Sequence, residues 1–175
     1  MDNDSSKDVR YKGNLIEVHR ERVDFPQGGH THFDIVKHPG GAVIAATNDR
    51  DELCLLKQWR HAIGQFIWEF PAGCLEPGEP PMETAKRELE EEAAVTASEW
   101  RELGMSAMSP GFSNEVLYFY AASNLSAGTQ KLDDAEQLEA HWIPRSEVLE
   151  MAKSGDIIDA KSLAILLLLD LHDKD

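Results

Sequence analysis

Apolar and polar residues alternate along much of this chain, and the alternation predicts a series of β-strands. Residues 11–24 predict one or two strands, and clusters of Gly, Pro, Asn and Asp mark turns between the later ones. The later predicted strands are His30–Lys37, Ala42–Thr47, Glu52–Trp59, Phe66–Phe70, Trp100–Leu103, Val116–Ala122 and Leu138–Ile143.

Three segments have helical spacing instead. Residues 81–93 begin with proline, which suits a first helical turn, and place apolar residues four positions apart. Residues 146–153 predict a helix capped by Ser146, and the more apolar residues 159–172 predict another. Residues 123–134 are polar and predict a loop. Strands with few helices indicate an α+β fold, in which a mixed β-sheet is flanked by helices.

The order of these segments suggests three regions. Residues 1–10 are polar and predict a disordered tail. Residues 11–40 form an N-terminal antiparallel β segment, and residues 41–175 form the main domain.

Composition narrows the possible partners. The 175-residue chain carries a formal net charge of −15, which argues against nonspecific nucleic-acid binding. Its longest apolar run, residues 163–169, is too short to span a bilayer, so we expect no membrane association. The N-terminus does not resemble a signal peptide, and we expect a soluble cytoplasmic protein.

The predicted helix at residues 81–93 carries the main candidate chemistry. Glu88, Glu91 and Glu92 lie at positions i, i+3 and i+4, so their carboxylates share one helix face. We expect this face to be exposed, as glutamates on a helix usually are. Three close carboxylates repel each other without a cation, and hard divalent ions prefer such oxygen ligands.

The surrounding stretch, residues 73–95, resembles the signature box of the Nudix hydrolases. The family pattern is Gly, five residues, Glu, seven residues, Arg-Glu-aliphatic-any-Glu-Glu, any, Gly, aliphatic. The family's last glycine is replaced by Ala94, which puts in question how the helix ends. The matching residues are Gly73, Glu79, Arg87, Glu88, Leu89, Glu91, Glu92 and Val95.

The flanking residues resemble the ADP-ribose pyrophosphatase branch of that family. They comprise Gln58-Trp59-Arg60 and residues 68–73 (WEFPAG) before the box, and Pro110 fifteen residues after it. The resemblance implies a Nudix-like α/β/α sandwich that uses Mg2+, or Mn2+, to hydrolyse a nucleoside diphosphate sugar. ADP-ribose, cleaved to AMP and ribose 5-phosphate, is the leading substrate. It also implies a homodimer whose N-terminal strands complete the partner's site.

The resemblance further implies roles for individual residues. Glu88, Glu92 and the Ala72 carbonyl match metal ligands, and Glu91 shares the metal or holds a water. Arg87 is expected to pair with Glu79. The remaining candidates are Asp134 as general base with Glu115 as runner-up, Glu136 as an extra metal ligand, and two substrate contacts, Glu115 and Arg60, whose planar fork suits phosphate. The N-terminal part departs from the family pattern at Phe33, which can stack on a nucleobase as a substrate contact or belong to the core, and its alternating strand favours the core.

Alternatives remain at this stage. Another nucleotide sugar or a dinucleotide, such as GDP-mannose or a diadenosine polyphosphate, fits the same box. A sensor that binds a nucleotide sugar without hydrolysing it is the rival from another class. The intact cluster of three acids argues against the sensor, because a pure binder has no need of it.

Overall fold

The computed structural model describes residues 7–132 and 137–174, and the side chain of Lys7 lies outside this description. It contains ten strands and three helices within these residues. In chain order the strands are β1 Lys7–Lys12, β2 Glu17–Asp24, β3 His30–Lys37, β4 Gly41–Ala46, β5 Glu52–Arg60, β6 Gln65–Glu69, β7 Ala72–Cys74, β8 Val95–Ala107, β9 Val116–Ala127 and β10 Leu138–Pro144. The helices are α1 Pro81–Ala93, α2 Arg145–Ser154 and α3 Ala160–His172.

The chain forms two compact units. The first contains residues 7–40 and 106–116, and the second contains residues 41–105 and 117–174. The sequence did not indicate that residues 106–116 belong with the first unit.

The first unit is built on an antiparallel sheet of order β1-β2-β3. Strand β1 begins at Lys7, so the predicted disordered tail over residues 1–10 is wrong for residues 7–10. Residues 7–10 form a strand because their backbone pairs with β2, while the side chains of residues 8–10 face solvent. Residues 112–114 add to the free edge of β3, where the Val36 amide donates to the Phe112 carbonyl over 2.7 Å.

The second unit contains two sheets, of order β10-β5-β6 and β7-β4-β9-β8. Strand β4 pairs in parallel with β9 and antiparallel with β7. Every residue of β4 is buried, as expected for a strand covered on both faces. Helix α1 packs on this strand through Ala85 and Leu89, and α3 packs on it as well. The mixed sheet with flanking helices confirms the predicted α+β class.

Helix α1 matches its predicted bounds, but the other predictions differ in detail. The loop predicted at residues 123–134 is wrong for residues 123–127, because β9 continues through Ala127. The predicted cap of α2 is also wrong, since Pro144 holds the N-cap position and Ser146 lies inside the helix. Asp159 does cap α3, accepting from the Ser162 amide over 3.0 Å. Within the described ranges, no helix is long and apolar enough to cross a membrane.

Candidate active site

Helix α1 carries the candidate carboxylates against strand β7. Its apolar side, Ala85 and Leu89, is fully buried in the core, and this fixes which face turns towards β7. Glu92 is only 2% exposed, and its Oε2 accepts the Ala72 amide over 2.9 Å. The expectation that this acidic face is solvent-exposed is therefore wrong for Glu88 and Glu92, which are both buried. They are buried because α1 packs close to the β7 backbone.

Gly73 makes room for Glu88. A Cβ atom at Gly73 would lie 2.6 Å from Glu88 Oε2 and closer still to the rest of that carboxylate. A side chain at this position would therefore displace Glu88 from the β7 backbone. The first glycine of the box is explained by this close approach of a carboxylate, because no left-handed backbone conformation is found there.

Arg87 joins the loop before α1 to the acidic face. Its Nε and Nη2 each lie 3.1 Å from a Glu79 oxygen, which confirms the expected pair. Its Nη1 donates to Glu88 Oε1 over 2.6 Å and to Glu91 Oε2 over 3.1 Å, and Nη2 also donates to the Cys74 carbonyl. One guanidinium thus holds three carboxylates and the end of β7.

The same contacts set the electrostatics of this region. Hydrogen bonding from Arg87, with Thr84 and the Glu76 amide also donating, lowers the pKa of Glu79 to about 2. The pKa of Arg87 is raised by these carboxylates, with Glu79 contributing most. Both groups are therefore fully ionised at neutral pH, and the pair ties the loop to the helix.

The donor set suits a hard divalent cation. Glu88 and Glu92 reach the Ala72–Gly73 backbone from one helix face, so two carboxylates lie beside the residue whose carbonyl is the third candidate ligand. Within the described ranges, no group of three or more His, Cys, Asp or Glu side chains is spaced to hold a metal. Arg87 explains this spacing, because its cationic group draws Glu88 and Glu91 towards itself. Two carboxylates and a backbone carbonyl fit a magnesium-type ion that keeps several waters.

Arg60 lies at the end of β5 and is bonded to Glu69. Its Nε and Nη2 make two hydrogen bonds of 2.6 and 2.7 Å to the Glu69 carboxylate. The side chain stays 40% exposed, but the planar edge formed by Nε and Nη2 is bonded to Glu69.

Two other candidates lie in the first unit. Phe33 on β3 is 45% exposed, so the ring is not a core residue of that unit. Glu115 has one oxygen 3.8 Å from His38 Nδ1, which also accepts the Gly40 amide over 3.0 Å. Asp134 and Glu136 lie outside the described residues.

Sequence reasoning missed the residues that hold the backbone before Gly73. Glu69 is 1% exposed and lies between Arg60 and Lys161. A signal was present, because Glu69 is a charged residue inside the apolar run Phe66–Phe70, and a buried charge needs a partner. The identity of the cationic side chain that pairs with Glu69 depends on packing between distant residues. The spacing of residues in the sequence does not reveal such packing.

Comparison with known proteins agrees with this geometry. The NUDIX domain family model matches residues 37–164. An ADP-ribose pyrophosphatase of Bacillus subtilis is 34% identical over 96% of this chain and 92% of its own length. An ADP-ribose pyrophosphatase of Mycobacterium tuberculosis is 34% identical over 95% of this chain and 81% of its own length. A solved structure described as an ADP compounds hydrolase superposes with a TM-score of 0.85 at 21% identity, covering 96% of this chain and 91% of that one.

Proposed function

Because this chain belongs to the NUDIX domain family, we propose that it hydrolyses the pyrophosphate bond of a nucleoside diphosphate sugar. ADP-ribose is the proposed substrate, and AMP and ribose 5-phosphate are the products. The observation that carries the proposal is the approach of the buried Glu88 and Glu92 to the Ala72–Gly73 backbone. The names of the two curated relatives support the choice of substrate.

The residues of α1 and β7 fit a divalent metal, for which we propose Mg2+ with Mn2+ as a substitute. Glu88, Glu92 and the Ala72 carbonyl would hold it, with Glu91 nearby on the same face. When bound, such an ion neutralises phosphate oxygens and lowers the pKa of a bound water. Arg87 holds Glu88 and Glu91 close together, and Glu79 holds Arg87.

Proton removal from the attacking water needs a base. We propose Asp134, with Glu136 as an additional metal ligand and Glu115 as the runner-up for the base. Turnover numbers of Asp134→Asn, Glu136→Gln and Glu115→Gln distinguish these assignments. A severe loss in Asp134→Asn supports the proposal, whereas a loss confined to Glu115→Gln assigns the base to the segment at residues 106–116.

Substrate contacts are proposed for Arg60, Phe33 and Glu115. The exposed ring of Phe33 can stack on a nucleobase. Arg60 is 40% exposed, but its Nε and Nη2 are bonded to Glu69, so we expect it to contact phosphate through Nη1 alone. Loss of Phe33 in Phe33→Ala should therefore raise KM more than it lowers kcat.

A homodimer in the cytoplasm is also proposed. Among the residues that the structure describes, the first unit exposes seven large apolar side chains, and an exposed apolar surface of this kind suits contact with another protein chain. They are Val9, Tyr11, Leu15, Val23, Phe25, Phe33 and Phe112. Light scattering at low micromolar concentration should give twice the 19.6 kDa chain mass. A fully active species with the mass of one chain would exclude a shared site.

A substrate panel tests the proposed function. Wild-type protein is incubated with ADP-ribose, GDP-mannose, a diadenosine polyphosphate and ATP, each with Mg2+ or Mn2+. Phosphate is then measured after a coupled phosphatase step. The proposal expects the highest kcat/KM with ADP-ribose. Tight binding of ADP-ribose without hydrolysis under any metal would instead support the sensor.

A further inference from the structure

The segment at residues 69–72, which leads into the metal-binding backbone, is held at four consecutive positions by different elements. The Glu69 carboxylate is bonded by Arg60 of β5 and Lys161 of α3. The Phe70 amide donates to Ser162 Oγ of α3 over 3.0 Å, and the Pro71 carbonyl accepts the Ile44 amide of β4 over 2.9 Å. Ala72 then donates to Glu92 of α1, as described above.

Two of these five contacts come from the first turn of α3. Ser162 is fully buried, and its single hydroxyl hydrogen goes to Asp159 Oδ2 over 2.6 Å, leaving an oxygen lone pair for Phe70. Asp159 also accepts from Lys161 Nζ over 3.0 Å, so the N-cap holds both residues that reach the segment. The first turn of α3 therefore contacts residues 69–72 through a connected network of hydrogen bonds.

Glu69 makes the network costly to break. Its burial raises the pKa of Glu69, and the hydrogen bond from Arg60 together with the charge of Lys161 lowers it below its ordinary value. A nearly inaccessible carboxylate that loses one of two cations must either rotate towards solvent or take up a proton. Glu69 precedes Ala72 by three residues, so a shift of this backbone that brings Glu69 towards solvent also moves the Ala72 amide relative to Glu92.

We infer that Lys161 and Ser162 are positioning residues for the metal-binding face formed by Ala72, Glu88 and Glu92. The inference rests on the proposed function, since it assumes that this face binds a divalent ion. Neither residue contacts that face directly. They act through Glu69 and Phe70, which place the Ala72–Gly73 backbone against the carboxylates of α1. Loss of a group that orients a metal ligand without touching the metal typically lowers metal affinity or activity.

Direct Mn2+ binding tests the inference without relying on turnover. Electron paramagnetic resonance of free Mn2+ gives its Kd for the full chain without substrate. Lys161→Met and Ser162→Ala are expected to raise that Kd about 10-fold or more, the usual effect of losing an outer-shell partner. Lys161→Arg should restore most of the affinity lost in Lys161→Met, because a guanidinium retains the charge facing Glu69.

Three controls make the result specific. Lys174→Met removes an exposed lysine near the other end of α3, whose partner is Asp170, and should bind Mn2+ like wild type. Val148→Ala creates a cavity in α2 at a fully buried position outside the network, and it tests whether general destabilisation weakens binding. Glu92→Gln should bind Mn2+ more weakly, because it changes one of the proposed metal ligands directly.

The outcomes distinguish the positioning role of Lys161 and Ser162 from the metal-binding role proposed for the face itself. Weakened binding in Lys161→Met and Ser162→Ala, with Lys174→Met and Val148→Ala unchanged, supports the positioning role. Wild-type binding in Lys161→Met and Ser162→Ala, with affinity lost in Glu92→Gln, overturns the inference and leaves the proposed metal face intact. Equal weakening in Val148→Ala overturns it as well. Wild-type binding in Glu92→Gln contradicts the metal face itself.

Discussion

Replacing Ala94 by glycine should stabilise the protein. Ala94 is the C-cap of α1 and adopts a left-handed conformation with φ 55° and ψ 33°. Its amide donates to the Glu90 carbonyl over 3.0 Å, which completes the last turn of the helix, and its left-handed backbone then turns the chain out of the helix. This alanine is the one departure from the family box. The helix nevertheless ends with the backbone geometry that glycine favours.

The expected gain follows from two opposing terms. A Cβ atom in the left-handed region costs about 1–2 kcal/mol, which glycine avoids. Glycine also gains freedom in the unfolded chain, which offsets about 0.5–1 kcal/mol of that gain. The net increase in the free energy of unfolding should be about 0.5–1 kcal/mol, which for a chain of this size raises Tm by about 1–4 °C.

Urea denaturation followed by circular dichroism measures this difference. Ala93→Gly is the matched control, because it makes the same substitution one residue earlier, inside the helix at a buried position. That variant should lose about 1 kcal/mol or more. An Ala94→Gly protein less stable than wild type would refute this reasoning. The packing of the half-buried methyl group would then contribute more to stability than relief of the left-handed backbone strain.

Two further predictions concern the site. Gly73→Ala should reduce turnover more than 10-fold and weaken Mn2+ binding, because the added Cβ displaces Glu88; wild-type values for both would mean that Glu88 need not lie against β7. Glu79→Gln should lower Tm at pH 7 relative to wild type, because the folded pKa of Glu79 is lowered from 4.5 to about 2. The stability from this ion pair is present above pH 4.5 and is lost as the pH falls towards 2. The difference in Tm should therefore close over that window, and a difference that persists below it would show that charge pairing is not its cause.

Residue patterns predicted the parts of this protein that depend on local spacing. Helix α1 has the expected bounds because its prolines, its apolar stripe and its acidic face all follow one helical period. The Arg87–Glu79 pair was also expected from the resemblance to the box, which places Glu79 just before α1 and Arg87 on the helix.

The parts that depend on contacts between distant residues were not predicted. Burial of Glu88 and Glu92 follows from how closely α1 approaches β7, which no single segment encodes. The contacts of Lys161 and Ser162 with residues 69–70 join positions 92 residues apart in the chain. The bond between Arg60 and Glu69 was also not foreseen, because it depends on how β5 and β6 pair and not on the spacing within either strand.

Hydrolysis of ADP-ribose by Glu92→Gln tests the central claim most directly. AMP release is measured at saturating Mg2+ for wild type, Glu92→Gln and Glu83→Gln, an exposed acid in the first turn of the same helix. Glutamine keeps an oxygen for the Ala72 amide, so matching circular dichroism spectra are expected for all three. The account predicts that Glu92→Gln loses about 100-fold or more in turnover while Glu83→Gln stays near wild type. Near-normal turnover by a folded Glu92→Gln protein would contradict the claim that this face of α1 holds the catalytic metal.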